Sequence, residues 1–225
     1  MRSALQFLTV LPVTTRSPGY GAVWFPFVGC LLGLAAATAL RLPQGSICAL
    51  LLVTALTGGL HEDGLADVCD AVRAYRSREK MMEILHDSRI GAHGALALVF
   101  SVLLRWQALE HLTGNPWLRL PATLAISRGT MVLLAAFTPT AGSGVGRSFQ
   151  ESLSKSTVWL TAIQVVALAF SAGWHAAAYL IPLQLAIVLA SRRWFVTRLG
   201  GVSGDCLGFQ CQVSEAASLL LFTWV

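Results

Sequence analysis

GGLHEDGLADVCDAVRAYRSREKMMEILHDSRIGAHG, residues 58–94, holds seven of the eleven acidic residues of this 225-residue chain and five of its sixteen basic ones. Long apolar runs lie on both sides. Only 12% of the residues are charged and 55% are hydrophobic, whereas soluble domains carry about 25% charged residues. Several runs approach the roughly 20 apolar residues that cross a bilayer. They are continuous, not alternating, which excludes a transmembrane barrel. The sequence therefore predicts an all-α fold: a polytopic membrane bundle of about six to seven spans. Residues 1–225 read as a single transmembrane catalytic domain, with 61–93 as its active-site block.

In chain order, the N-terminal apolar patch is broken by Pro12 and reads as interfacial or re-entrant. Spans are expected over 24–42, 47–60, 95–112, 118–137, 158–172 and 176–190, with a last apolar run over 216–225 that is short for a crossing. The second span is expected to continue straight into the charged block. Gly29 and Gly33 permit close helix contact in the first. Placing the N-terminus, 61–93, 138–157 and 192–213 on one side collects twelve of the sixteen Lys and Arg residues there. The positive-inside rule makes that side cytoplasmic. The net charge of +5 reports those loops and gives no argument for nucleic acid. Five irregularly spaced cysteines make no disulfide framework or zinc pattern.

Asp63, Asp67 and Asp70 follow i, i+4, i+7 spacing. On a helix they fall within about 60° of one another, on one face. Three carboxylates so close at a membrane boundary repel strongly and call for a cation. Carboxylate oxygens suit Mg²⁺, which takes one or two carboxylates together with substrate phosphates. Gly58, Gly59 and Gly64 let a large group approach the backbone. Asp87 is a further ligand candidate, and Ser88 stands near a helix N-terminus suited to anions. Arg73, Arg76, Arg78, Lys80 and Arg89 are candidate phosphate clamps.

Other charges have plainer readings. Glu79, Lys80 and Glu83 fit a solvated helix face. His61-Glu62 lacks the second half of a zinc motif, because position 65 is Leu. His61 remains a candidate for substrate contact or proton transfer. Arg105 reads as snorkelling outward, and Arg128, after Ser127 inside a span, reads as functional.

Gly58-Gly59-Leu60-His61-Glu62-Asp63-Gly64-Leu65-Ala66-Asp67 with Asp70, then His86-Asp87-Ser88-Arg89-Ile90-Gly91, resembles the signature of the cobalamin synthases, the adenosylcobinamide-GDP ribazoletransferases. Trp24-Phe25-Pro26-Phe27-Val28-Gly29, Ser127-Arg128, and Gly200-Gly201-Val202-Ser203-Gly204-Asp205 with Gly208 and Glu215 are similar to that family in the same order. The resemblance implies a multi-pass enzyme of the cell inner membrane, with its site on the cytoplasmic face and Mg²⁺ as cofactor. It implies transfer of adenosylcobinamide phosphate from adenosylcobinamide-GDP to α-ribazole or its 5′-phosphate, with release of GMP. On that basis Asp63, Asp67 and Asp70 hold the metal, and Asp87 completes the site or acts as base. Asp205 is a further ligand or base. Glu62, Gly64, Ser88, Arg89, Arg128, Arg147, Arg192, Arg193 and Gly204 are expected around the substrates. A last span longer than 216–225 is also expected.

Two other readings compete. CDP-alcohol phosphotransferases also place spaced aspartates on membrane helices, but the second half of their motif is missing after Asp67. A divalent-cation transporter would use intramembrane acids, yet here the acids form one block and no inverted repeat is visible. A non-catalytic scaffold has no use for a one-faced aspartate ladder.

Overall fold

The computed structural model describes residues 1–15, 19–73, 77–87, 89–142 and 144–225, with the side chain of Arg73 left out. Among the described residues the regular elements are all helices, and the only β feature is an isolated bridge between Thr140 and Val202. In order they form α1 (Arg2–Leu8), α2 (Phe25–Ala39), α3 (Gly45–Thr57), α4 (Leu60–Arg73), α5 (Arg78–Leu85), α6 (Ala92–Glu110), α7 (Pro116–Phe137), α8 (Val145–Glu151), α9 (Lys155–Ser171), α10 (Trp174–Leu199) and α11 (Gly204–Leu221). Four stretches are long and apolar enough to cross a membrane: Ala22–Ala39, α6, α7 and α10. Counting α3–α4 and α8–α9 as one bent span each raises the number to six, within the range expected for a polytopic membrane protein.

α7 is the hub and is buried on nearly every side from Leu120 to Ala135. Its start is set by Asn115, whose side chain accepts the Trp117 N–H at 3.0 Å, with Pro116 in the first turn. α2 lies against it through Gly29 and Gly33. A methyl group at Gly29 would stand 2.2 Å from the Leu124 carbonyl oxygen, and one at Gly33 2.4 Å from Pro121 Cα. Small residues at that spacing let two backbones touch, which is how helices associate where lipid removes the hydrophobic drive. Phe7, Tyr20, Phe25 and Phe149 stack together and tie α1 and α8 to the start of α2.

The structure corrects three expectations. The second span does not run straight on: α4 turns by 89° from α3. Gly58 and Gly59 make that corner at φ 63° and 71°, in the left-handed region that glycine enters at least cost. With four acids in fourteen residues, α4 is unsuited to hydrocarbon, and the corner takes it out of the spanning direction. Residues 192–213 are not a loop. α10 continues to Leu199, only residues 200–203 turn, and α11 begins at Gly204. The terminal run is therefore the end of an 18-residue helix. Of the polar side chains that made residues 192–213 look like a loop, Gln210 and Gln212 are buried on α11, while Arg192 and Arg193 on α10 are exposed.

Replacing Gly33 by Leu forces α2 off α7. The expected cost is about 3 kcal/mol or more, read as a lower melting temperature in detergent. A Gly33→Leu protein that melts with the wild type contradicts this crossing.

Candidate active site

α4 carries the acidic face expected from spacing. Asp63 is exposed and Asp67 is half-buried. Both line a cavity of about 600 Å³ whose other walls are Phe7, Thr9 and Val10, the α3–α4 corner, and Ile90 and Leu98. The N-terminal wall is strapped down by the Val10 N–H, which donates to the Leu56 carbonyl at 2.9 Å. These N-terminal residues escaped the sequence reading, because nothing local marks a short apolar segment as a cavity wall.

Gly64 brings the third acid. It lies about 60° around the helix from Asp67 and faces the first turn of α11. A methyl group there would come within 2.6 Å of the Asp205 carbonyl oxygen and 3.1 Å of Gly208 Cα. The two helices meet backbone to backbone, and Asp205 stands in the field of Asp63 and Asp67. Burial, followed by the charges of Asp63, Asp205 and Asp70, lifts the Asp67 carboxyl to about 6. Gly204 opens α11 next to Val145, and Ser203 caps it by accepting the Cys206 N–H at 3.4 Å.

Asp70 is occupied differently from its neighbours. Its two oxygens accept the N–H groups of Gly91 at 2.7 Å and Gly94 at 2.8 Å. It therefore caps α6, satisfying donors that a helix start leaves open. A methyl group on either glycine would strike the carboxylate within 2.4 Å. Asp87 faces a neighbouring hollow of about 480 Å³ that meets the first cavity at Ile90. It is gripped by Arg89, whose Nε and Nη2 donate at 3.0 and 2.7 Å. That hydrogen-bonded guanidinium holds Asp87 down at about 2, which makes it a poor proton acceptor near neutrality. Ser88 and Arg76 lie outside the described residues, as does the side chain of Arg73.

Two predicted site residues, Arg128 and His61, sit in the interior, together with Arg105. Arg128 of α7 is fully buried and pairs with Glu215 of α11. Arg105 of α6 is buried too, 3.1 Å from Glu215 and 3.3 Å from Glu62. It does not snorkel outward, and Arg128 is spent on a carboxylate. His61 has no exposed surface and lies beside the same charges. It is on the opposite side of α4 from Asp63 and Asp67. Glu62 joins the two environments, lining the cavity while bonded to Arg105. The signal missed in the sequence was sign balance: two arginines within spans require carboxylates at the same depth, and Glu215 and Glu62 supply them.

The remaining candidates are elsewhere. Arg147 is exposed and pairs with Glu151 at 3.1 Å. Arg192 lines a separate apolar cavity between α7, α9 and α10, and Arg193 is exposed beside it on α10. Among the described residues no three His, Cys, Asp or Glu side chains are gathered tightly enough to hold a metal ion by themselves. The donor set still suits Mg²⁺, which binds through one or two carboxylates and completes its shell with water and substrate phosphates. The raised Asp67 reflects burial first and then the crowding of Asp63, Asp205 and Asp70 around it, which a bound cation would offset.

A multi-helix membrane protein with a carboxylate-lined cavity at a helix corner is the class that the fold and site define. Residues 1–223 match the family described as cobalamin-5-phosphate synthase, and the chain belongs to that family. It is 34% identical to the adenosylcobinamide-GDP ribazoletransferase of Herpetosiphon aurantiacus, over 96% of this chain and 92% of that protein. It is 36% identical to the enzymes of that name from Escherichia coli O127:H6 and Shigella boydii serotype 18, over 96% of each chain. No solved structure matches the chain significantly.

Two outcomes follow from this geometry. Glu215→Gln strands Arg128 in the interior and leaves Glu62 as the one carboxylate of the cluster, and about 3–5 kcal/mol of stability is lost; adding Arg105→Met to that variant restores the charge balance and returns part of it in a thermal melt. Asp67 takes up protons more readily folded than unfolded, since its pKa rises from 3.8 to about 6. Its contribution to stability therefore declines as pH rises through that window. Asp67→Asn should melt above the wild type at pH 7, and the gap should close by about pH 4. Identical melts at pH 7 would contradict the charge crowding.

Proposed function

We propose that this protein is an adenosylcobinamide-GDP ribazoletransferase of the cell inner membrane, working at its cytoplasmic face with Mg²⁺. Adenosylcobinamide-GDP and α-ribazole, or its 5′-phosphate, are its substrates. The ribazole hydroxyl attacks the phosphorus that carries cobinamide, the pyrophosphate bond breaks, and GMP leaves. The observation that carries this reading is the Gly64–Gly208 crossing, which holds Asp205 against the Asp63–Asp67 face at the edge of a 600 Å³ cavity. Family membership adds to it.

In this reading Asp63 and Asp67 bind the metal, which when present neutralises the pyrophosphate and its leaving group. Asp205, in the first turn of α11, accepts the proton of the attacking hydroxyl. Asp70 acts through structure: by capping α6 it fixes the turn that carries Arg89 at the mouth. The exposed Arg89 guanidinium swings from Asp87 to the incoming phosphates. The apolar walls from Phe7, Val10, Ile90 and Leu98 suit the flat benzimidazole of the ribazole.

Asp63→Asn and Asp67→Asn should each reduce Mg²⁺-dependent GMP release by about a hundredfold or more while the protein stays folded. CDP-diacylglycerol is the competing substrate in the same assay. Full activity in both variants, or turnover of the lipid nucleotide alone, would overturn the proposal.

A further inference from the structure

A second cavity lies away from the aspartates. It measures about 470 Å³ and opens between α7, α9 and α10. It shares Phe137 and Ala162 with a smaller hollow of about 300 Å³, so the two form one groove. The groove runs along α10 from Leu180 to Arg192, about 18 Å at 1.5 Å per residue. One leaflet of a bilayer has about 15 Å of hydrocarbon. The groove is one leaflet deep.

Its walls are apolar because the polar side chains along it are turned away. Gln184 donates to Ser218 and accepts from Ser214. The Thr130 hydroxyl donates to the Ser127 carbonyl at 2.8 Å. The Gln150 amide donates to the carbonyls of Ala135 and Thr138 at 2.8 and 2.7 Å. A polar, water-soluble ligand would find no partner there, whereas a hydrocarbon chain needs none.

The charges sit at one end. Arg192 is fixed at the rim by its Nε, which donates to the Phe137 carbonyl at 2.7 Å. Lys155 opens α9 on the other side, Arg193 follows Arg192, and Trp159 stands 71% exposed at that level. The nearest acid in sequence, Glu151, is paired with Arg147. This is the end of the bundle that carries Ser203 and Asp205, because Val202 bonds to Pro139 just past Phe137.

We propose that this groove is a binding site for one anionic phospholipid of the leaflet on that side. An acyl chain fills the space between α7, α9 and α10, and the phosphate meets Arg192 and Lys155. Charge complementarity selects the headgroup, and Trp159 lies at the interface as aromatic belts do. A second copy of the chain is a worse occupant. A two-fold contact through this face would set the same cations opposite one another.

Native mass spectrometry of the purified protein, with equal phosphatidylglycerol and phosphatidylcholine of matched chains, tests the site. The wild type should retain phosphatidylglycerol in preference. Arg192→Gln and Lys155→Gln should each weaken that retention about fivefold and lower phosphatidylcholine retention less, so that the preference narrows. Ala162→Trp, which fills the groove, should lose both lipids, while Ile163→Trp on the exposed side of α9 should keep them. Equal retention of the two lipids by the wild type would overturn the proposal. So would wild-type retention by Ala162→Trp, or a lipid-free dimer that Ala162→Trp disrupts.

Discussion

The structure depends on a buried charge cluster that balances to zero. Arg105 and Arg128 from two spans meet Glu215 of α11 and, through Arg105, Glu62 of α4. In a medium that does not solvate ions, each of these groups is costly alone and tolerable together. The cluster therefore sets which helices stand side by side: α4, α6, α7 and α11 cannot separate without exposing a charge to hydrocarbon. His61 is buried beside them. Glu62 links the cluster to its neighbour Asp63, and so couples the interior to the cavity above it.

On that frame the site is made by two glycine arrangements. Gly58 and Gly59 turn α4 across the end of the bundle. Gly64 and Gly208 then let α4 and α11 touch, which sets Asp205 beside the aspartate face. The carboxylates are left crowded, and Asp67 carries the strain as a raised pKa. An unbalanced cluster at the rim over a balanced cluster in the core is the arrangement expected of a site that waits for a cation and an anionic substrate. Asp70 is the exception on the same face, because the open donors of α6 already neutralise it.

Much of this was legible in the chain. The spacing of Asp63, Asp67 and Asp70 is local, and local spacing reads directly as a helix face. Gly29 and Gly33 announced a close crossing. What was not legible depends on partners far away in sequence. Asp70 looked like its neighbours until Gly91 and Gly94 were folded against it. Residues 192–213 looked like a loop because of their polar side chains, of which the fold buries Gln210 and Gln212 on α11. Arg128 suggested a substrate contact because Glu215 is 87 positions away. The corner at Gly58-Gly59 had a signal in the glycine pair, but its angle had none.

The central claim is that Asp63 and Asp67 hold a divalent ion on which phosphoryl transfer depends. The most direct test exchanges the metal's preference: Asp63→Cys, with GMP release measured in Mg²⁺ and in Cd²⁺. Thiolate sulfur favours soft ions over Mg²⁺, so the account predicts activity lost in Mg²⁺ and recovered in Cd²⁺, relative to the wild type in the same ions. Wild-type turnover of Asp63→Cys in Mg²⁺, or a loss that Cd²⁺ does not restore, would contradict it.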